Sequence, residues 1–504
     1  MKIVNLSTFV LGAVVALTMG SCGENYLDTE YTANLDSETA SELIESDPDA
    51  LSAYLNGIWS FMVSFDVSGN EAHDDFSFMS VLHATDVMGE DITFHNYSWF
   101  GYDYELDNRE YNYRRTLVNW LTFYTMIAKT NEIIDLFTEE PETPDAKGIL
   151  GQAYAVRGMS YYYLIQLYQQ YLLDENTIAY DAPGVPLRYA ASEDLSEEER
   201  TARTGRNTVK VVFDQIEKDL TTAVDLLSAG YERPSGASGK NFIDYNVANG
   251  LLARYYLMSQ QWQKAADAAN IARTGYEMMD EKGLQDGFMD ITNGEWMWGF
   301  NHNTETQTSF ASFFSHISNI APGYAGMDYT GHDISDWLYA QISETDLRRN
   351  YWFNGDGSEQ ATPSASQPLA ILKFGDDGNW TMDYPYMRAA EMVLIEAEAY
   401  AHMGDEEKAA QTLKILMAAR DPQWDKKSVN VNDVWIQRRI ELIGEGFSYF
   451  DIKRLYKGID RTKSTNHLPG YEKVVPAGDK LWTYQIPYRE IQENDQISDN
   501  EQNK

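Results

Sequence analysis

Segments with a helical period of apolar residues run through most of this sequence. In the first of them Leu51, Leu55, Ile58, Phe61 and Met62 follow one another at intervals of mostly three and four residues. That spacing places apolar side chains on one face of an amphipathic helix. The pattern therefore predicts a mainly α-helical protein. The predicted helical pairs are 119–137 with 148–173, 208–227 with 245–260, and 385–404 with 405–420, and a further helix is predicted at 261–278.

The last helical pair has a tight turn at Gly404 and Asp405. Glycine tolerates the positive φ of a helix C-cap, and an aspartate with acidic neighbours suits the positive end of the next helix dipole. With small alanines where the two helices cross, this pair resembles a tetratricopeptide unit. The pairs do not keep the period of about 34 residues of a regular array, so irregular pairs packed into one body fit better.

Three long stretches between the helices show little helical pattern: Val67–Asn108, Tyr180–Arg206 and Asn293–Asp383. Loops longer than roughly 15 residues in a folded domain are usually functional or disordered. The first and last stretches are rich in tryptophan and tyrosine, which argues against disorder. We therefore expect ordered loops that carry function.

The N-terminus has the features of an export signal. Lys2 precedes an uncharged apolar run from Phe9 to Met19, and Gly20 and Ser21 lead into Cys22. About a dozen apolar residues are too few to span a bilayer as a helix, so residues 1–21 are predicted to be a signal peptide. The junction resembles a bacterial lipobox, which would make Cys22 a lipidated residue at the start of a tether over 22–36. The alternative is an ordinary signal peptide whose cleavage site includes a cysteine.

Composition restricts the ligand class. The chain has 39 basic and 78 acidic residues, a formal charge of -39, which would repel nucleic acid and anionic lipid headgroups. Cys22 is the only cysteine, so no disulfide can form within the chain. The 34 tyrosines, 12 tryptophans and 20 phenylalanines could stack on the apolar faces of sugars, although aromatic residues are most often core residues.

Motifs along the whole chain resemble those of the SusD/RagB family of outer-membrane nutrient-binding lipoproteins. The strongest three lie in the C-terminal third, in "YMRAAEMVLIEAEAYAHMG", "RRIELIGEGFSYFDIKRL" and "YQIPYREIQENDQISDNEQN". The matching residues are Arg388, Glu391, Ala397–Ala399 and Gly404; Arg439, Glu441, Glu445, Gly446, Asp451 and Arg454; Ile486, Pro487, Glu490, Asn494 and Asn500; and, upstream, Cys22, Tyr26, Leu27, Asp28, Trp120, Tyr124, Ile127 and Asn131.

This resemblance implies a non-catalytic, lipid-anchored protein on the outer surface of the outer membrane. It would bind oligosaccharides and deliver them to a SusC-like, TonB-dependent transporter. The implied fold has tetratricopeptide-like helix pairs as a scaffold, with long loops and a few short strands making the ligand face. Residues 37–270 would form an N-terminal helical region and residues 271–504 a C-terminal SusD/RagB region, packed together as one body.

A surface glycoside hydrolase is the alternative from another functional class, and a binder of peptide or another non-sugar nutrient is a third. Glu441 and Glu445 lie four residues apart, on one face of a predicted helix, and paired carboxylates can carry glycosidase chemistry. The other interpretation is a structural role, in which these two glutamates form ion pairs with Arg438, Arg439 or Arg454 inside the scaffold. No H-E-x-x-H, G-x-S-x-G or phosphate-binding glycine motif is present, so no catalytic residue is predicted.

Sugar binding requires aromatic rings beside amides and carboxylates, and the segment 91–108, "DITFHNYSWFGYDYELDN", supplies both. The predicted ligand residues there are Asn96, Trp99, Phe100 and Tyr102, with Trp99 favoured as exposed. In a second candidate, Trp296, Trp298 and Phe300 alternate like a strand, so one face is expected in the core. Tyr351 and Trp352 before a turn form a third candidate.

Two loops have an oxygen-rich spacing that could serve calcium, "NGDGSE" at Asn354–Glu359 and "GDDGNW" at Gly375–Trp380. Neither fits the EF-hand loop, and surface turns are the expected structure. No cofactor and no metal ligand are therefore predicted.

Overall fold

The computed structural model describes residues 48–327 and 330–504, with side chains from Ser52 onward. The signal peptide, Cys22 and the tether over 22–36 lie outside these residues. The helices are α1 Pro48–Met62, α2 Phe78–Val87, α3 Gly101–Glu105, α4 Arg114–Asp135, α5 Pro144–Tyr168, α6 Glu197–Arg203, α7 Val209–Leu227, α8 Tyr245–Met258, α9 Trp262–Arg273, α10 Phe313–Ile317, α11 Asp336–Tyr339, α12 Leu347–Tyr351, α13 Ala389–His402, α14 Glu406–Met417, α15 Val431–Glu441, α16 Ser448–Arg454 and α17 Tyr488–Glu493.

The long helices pack against one another in chain order. Helix α4 packs on α5, α5 on α7, α7 on α8, α8 on α9, α9 on α13, and α13 on both α14 and α15. Two glycines allow the close approach of α5 to α7: a Cβ on Gly158 would lie 2.9 Å from Cγ of Leu220, and one on Gly151 would lie 3.0 Å from Cγ of Leu227. The predicted mainly helical fold with tetratricopeptide-like pairs is confirmed. The domain boundary at residues 270 and 271 stays a prediction.

The turn between α13 and α14 has the predicted capping geometry. Gly404 has φ +80°, a conformation that L side chains rarely adopt. Asp405 is the N-cap of α14, and its carboxylate accepts the backbone N–H of Lys408 at 3.1 Å. Glu406 and Glu407 occupy the first turn of α14, where they complement the helix dipole.

Short antiparallel strands connect the helical layers. One sheet has four strands in the order β1-β5-β7-β6, and three further sheets are the pairs β4 with β8, β2 with β3, and β9 with β10. The strands are β1 Ile92–Phe94, β2 Leu172–Asp174, β3 Thr177–Ile178, β4 Trp296–Phe300, β5 His332–Ile334, β6 Phe353–Asn354, β7 Ala370–Ile371, β8 Tyr384–Arg388, β9 Ile459–Asp460 and β10 Val474–Val475.

Helix α2 and strand β4 are more completely buried than the sequence led us to expect. The stretch Val67–Asn108 contains the helix α2, in which all ten residues are buried. Strand β4 is present as predicted, but both of its faces are buried, not one. Because neither element has a solvent-exposed face, the order of apolar and polar residues in its sequence does not show which faces are buried.

Within the described part of the chain, no helix combines the length and the apolar character that crossing a membrane requires.

Candidate functional site

Trp99 lies in a row of six aromatic side chains that we call the aromatic row: Phe65, His73, Trp99, Tyr324, Phe310 and Trp380. Trp99 stacks on the His73 ring at 5.4 Å between centroids, with the planes 19° from parallel. His73 Nδ1 lies 2.8 Å from the Tyr324 hydroxyl, which fixes the two rings relative to each other. Phe65 contacts His73, and Phe310 contacts both Tyr324 and Trp380. The indole of Trp99 is 37% exposed.

Beside the aromatic row, Trp99 and Tyr102 border a cavity of about 350 Å³, the Trp99 cleft. Tyr102 is 58% exposed, which leaves most of its ring available to a ligand. Asp107, Asn112 and Tyr113 also line the cleft, and the first two are exposed. The cleft thus combines aromatic faces with a carboxylate and an amide, groups that can accept and donate hydrogen bonds to hydroxyls.

The floor of the Trp99 cleft is a cluster of ion pairs. Arg114 donates to both carboxylate oxygens of Asp74, at 2.5 and 3.0 Å. Arg115 lies 3.2 Å from Asp74 and also 3.2 Å from Asp103. Burial raises the pKa of Asp103, although Arg115 acts in the opposite direction. These contacts fix the guanidinium of Arg114, which is still partly exposed and can present its remaining N–H groups to a ligand.

Buried histidines support the aromatic row from below. His316 stacks on Tyr324 at 4.8 Å, and its Nε2–H donates to the backbone carbonyl of His73 at 2.9 Å. Burial lowers the pKa of His316 to about 4. Burial also lowers the pKa values of His83 and His332 well below the usual range, so these imidazoles are neutral at pH 7. These buried imidazoles therefore carry no charge at neutral pH.

The six predicted ligand residues fall into three groups. Trp99 and Tyr102 line the cleft, as described. Asn96 is exposed on the loop before Trp99 but does not line the cleft. Tyr351 is half-buried at the end of α12, outside the cleft, and its hydroxyl donates to the Glu281 carboxylate. Contact of any of these residues with a ligand stays a prediction.

Phe100 and Trp352 were expected in the ligand site, and their burial corrects that expectation. Phe100 is 2% exposed, because its ring packs against His83 and His316 beneath the aromatic row. Trp352 is fully buried, and its indole N–H donates to the carbonyl of Leu284 at 3.0 Å. Neither ring can stack on a ligand without leaving the core.

Other contributors to this surface were missed. Asp107 lies inside the candidate segment 91–108 but was not singled out. Asn112, Tyr113 and Arg114 continue the aromatic and polar composition of that segment, and this continuity was the available signal. Phe310 lies in the long stretch Asn293–Asp383, which was expected to form ordered loops that carry function. Nothing in the sequence indicated that His73, more than 200 residues away from Tyr324, would contact it.

Glu441 and Glu445 belong to a buried ion network, not to a cleft. Arg420 donates to both carboxylate oxygens of Glu441 at 3.0 Å, and Arg348 and Arg388 contact the same carboxylate at 3.0 and 3.1 Å. Glu445 accepts from Arg388 Nε at 2.8 Å and from Lys373 at 2.6 Å. Burial acts to raise the pKa of Glu441, but Arg420, Arg388 and Arg348 together hold it well below the usual range.

The predicted partners of these acids were wrong, although their structural role was expected. Arg438 and Arg454 pair with Asp451, and Arg439 pairs with Asp91. The residues that do neutralise Glu441 come from distant positions in the chain, so local spacing could not reveal them. Because its oxygens are occupied by arginines and it has no exposure, Glu441 cannot reach a substrate.

The two oxygen-rich loops form turns. In one, the backbone N–H of Gly378 donates to Asp376 and that of Asn379 donates to Asp377; in the other, the N–H of Ser358 donates to Asp356. These carboxylates are engaged with their own backbone, as in Asx turns. In residues 48–327 and 330–504, no group of three or more histidine, cysteine, aspartate or glutamate side chains is arranged to hold a metal ion.

Family models match two parts of the chain. Residues 70–257 match a SusD-like family described as starch-binding and associating with the outer membrane, and residues 373–503 match the SusD family itself. The chain belongs to the SusD family. This family is a family of carbohydrate-binding proteins. The resemblance seen in the sequence motifs is thereby confirmed.

Solved structures share the fold across nearly the whole chain. A SusD-like carbohydrate-binding protein from Bacteroides vulgatus ATCC 8482 has 23% identity and a TM-score of 0.75, covering 91% of this chain and 98% of its own. A SusD superfamily protein from Bacteroides thetaiotaomicron VPI-5482 has 22% identity and a TM-score of 0.72, covering 91% of this chain and 99% of its own. A laminarin-binding SusD-like protein has 18% identity and a TM-score of 0.63, covering 90% and 98%. No curated protein matches the chain in sequence.

Proposed function

We propose that this protein binds neutral oligosaccharides at the Trp99 cleft without cleaving them, and delivers them to a SusC-like, TonB-dependent transporter of the outer membrane. The observation that carries the proposal is the exposed Trp99 ring, which is held by His73 at the mouth of a cleft lined with carboxylate, amide and guanidinium groups. Rings stack on the C–H faces of sugars, and the polar groups bind hydroxyls.

The charges of the cleft and of the whole chain support a neutral ligand. In the cleft, three aspartates face two arginines, and both arginines are already paired with aspartate. The chain as a whole carries a formal charge of -39. The negative field of the chain would repel an anionic polysaccharide, and the described lining of the cleft has no unpaired arginine that could compensate for this repulsion. A neutral glycan meets no such penalty, and one structural neighbour in the family is a laminarin-binding protein.

A binding role is favoured over hydrolysis because the carboxylate pair suggested by the motif is unavailable. Glu441 is buried, ionised and bound by three arginines. Retaining and inverting glycosidases need one carboxylic acid that is protonated near neutral pH and open to the substrate. Glu441 meets neither requirement.

Surface anchoring through Cys22 and docking on a transporter complete the proposal. Affinity purification from detergent-solubilised outer membranes of the native bacterium should recover the protein together with a TonB-dependent barrel. Recovery of the protein alone, under conditions that preserve other outer-membrane complexes, would contradict the transporter part. The binding part is tested separately with a glycan panel and the Trp99→Ala variant.

A further inference from the structure

A second aromatic cleft lies at the ends of the scaffold helices. It has a volume of about 290 Å³ and shares none of its lining residues with the Trp99 cleft. Its walls come from the turn between α8 and α9, the last residue of α13, the first turns of α15, the end of α16 and the turn of the β2–β3 hairpin. We call it the Trp262 cleft.

Trp262 is fixed in one wall of this cleft. Its indole ring stacks on the imidazole of His402, with 3.9 Å between centroids and planes only 2° apart. His402 is the last residue of α13, and its Nε2 lies 3.6 Å from the buried carboxylate of Glu398. The side chains of both ring residues are half-buried, so the stack is anchored in the scaffold while part of it borders the cleft.

Trp435 supplies a second aromatic wall from α15. The guanidinium of Arg439 lies over the Trp435 ring at 4.7 Å, and the same guanidinium donates to Glu90 at 2.8 Å. This contact fixes the orientation of the indole, because Arg439 is itself buried and paired. Two tryptophans on separate helices, each held by a contact of its own, thus border one cavity.

Planar amides and a lysine complete the Trp262 cleft. The Gln260 side-chain N–H donates to the backbone carbonyl of Glu175 at 3.0 Å, which ties the hairpin turn to the turn before Trp262. Asn432 and Lys457 are exposed at the cleft. Lys457 takes part in no ion pair within the described residues, and Arg454, the other cation there, is neutralised by Glu398 and Asp451.

We propose that the Trp262 cleft is a second binding site for neutral saccharides, separate from the Trp99 cleft. Two fixed indole rings provide stacking surfaces, and Gln260, Asn432 and Lys457 provide donors and an acceptor for hydroxyls. Lys457 is the one cation of the described lining that no ion pair neutralises, and the lining also contains the carboxylate of Glu175. The cleft therefore has no concentration of positive charge that would favour an anionic ligand.

The test is ¹⁹F NMR of the complete chain in detergent, labelled with 5-fluorotryptophan. The probes are linear hexasaccharides of β-1,3-glucose, β-1,4-glucose, α-1,4-glucose, β-1,4-xylose and β-1,4-mannose. The resonances of Trp99, Trp262, Trp435 and Trp424 are assigned by single Trp→Phe substitutions. Trp424 lines neither cleft and serves as the internal control.

The proposal predicts that at least one hexasaccharide shifts the Trp262 or Trp435 resonance saturably, leaves Trp424 unmoved, and does so equally in the Trp99→Ala chain. The Asn432→Ala variant should raise the dissociation constant read from that shift about fivefold, as expected for one lost hydrogen bond. Shifts of Trp99 with some hexasaccharides, but of Trp262 and Trp435 with none of the five, would overturn the second site alone. Shifts at Trp262 without any at Trp99 would overturn the proposed site of the main function, and no shifts at all would overturn both.

Discussion

The Trp99 indole lies nearly parallel to the His73 imidazole, 5.4 Å away, although the two residues belong to different loops. His73 is in turn held by the Tyr324 hydroxyl from a third part of the chain. An exposed ring that is already fixed loses little conformational entropy when a sugar stacks on it. This arrangement makes Trp99 the best-prepared stacking surface of the aromatic row.

Replacing Trp99 with alanine should weaken glycan binding about tenfold or more, because both the stacking contact and its buried apolar area are lost. Isothermal titration calorimetry with the best glycan of a panel measures the change. The matched control is Trp424→Ala, a half-buried tryptophan outside both clefts, which should bind normally. Equal affinity of the Trp99→Ala chain and the wild type would show that the ligand binds elsewhere.

Replacing His73 with alanine should weaken binding less than Trp99→Ala, because it removes only the support of the indole ring. In a chain that already carries Trp99→Ala, the His73 substitution should have almost no further effect on affinity. A double-mutant cycle of the four dissociation constants checks this. Strictly additive losses would mean that His73 acts independently of Trp99.

His316 should make the fold less stable in mild acid. Its pKa is about 4 in the folded protein and about 6.5 when unfolded, so between these values only the unfolded chain binds the proton. This contribution to stability is complete above pH 6.5, falls as the pH is lowered, and amounts to a loss of about 3 kcal/mol by pH 4. In urea unfolding at pH 7 and pH 4.5, the His316→Gln variant should lose less stability than the wild type on acidification. Identical losses in the two proteins would contradict this prediction.

Replacing Glu441 with glutamine should destabilise the fold by about 3 to 5 kcal/mol, because Arg348, Arg388 and Arg420 lose a buried counter-charge. The free energy of unfolding in urea measures the loss. The control is Glu493→Gln, which removes an exposed ion pair with Arg489 and should change stability little. A Glu441→Gln protein as stable as the wild type would contradict the structural role.

Replacing Cys22 with alanine should release the protein from the membrane fraction, since the proposed anchor is a lipid attached to this residue. Fractionation of cells followed by immunoblotting measures the distribution, with the wild-type chain as the reference. Continued membrane association of the variant would count against the tether.

The helical scaffold was predictable because its amphipathic helices carry their own period. Helices α7 and α14 have one buried and one exposed face. Helix α13 is buried from Ala389 to Ala401, yet its length and the turn residue Gly404 identified it. Helix α2 and strand β4 did not reveal their full burial, because they are covered on all sides. Prediction therefore worked for helices with one solvent-facing side and for buried helices that are long, such as α5 and α13.

The candidate site was predictable only in part, since exposure depends on tertiary packing. Trp99 and Phe100 are adjacent in sequence, yet one is at the cleft and the other is in the core. Phe100 packs against Phe76, His83 and His316, which come from other segments of the chain, so the local sequence does not show which of the two rings is buried. Composition identified the segment, but it could not separate these two rings.

The central claim is that the protein binds a glycan and does not cleave it. The most direct measurement incubates the purified chain with each glycan of a panel, following tryptophan fluorescence for binding and reducing ends for cleavage over several hours. We predict saturable binding of at least one neutral glycan with no increase in reducing ends. Release of reducing ends in proportion to protein concentration, abolished by a Glu→Gln or Asp→Asn change in a cleft, would contradict the account.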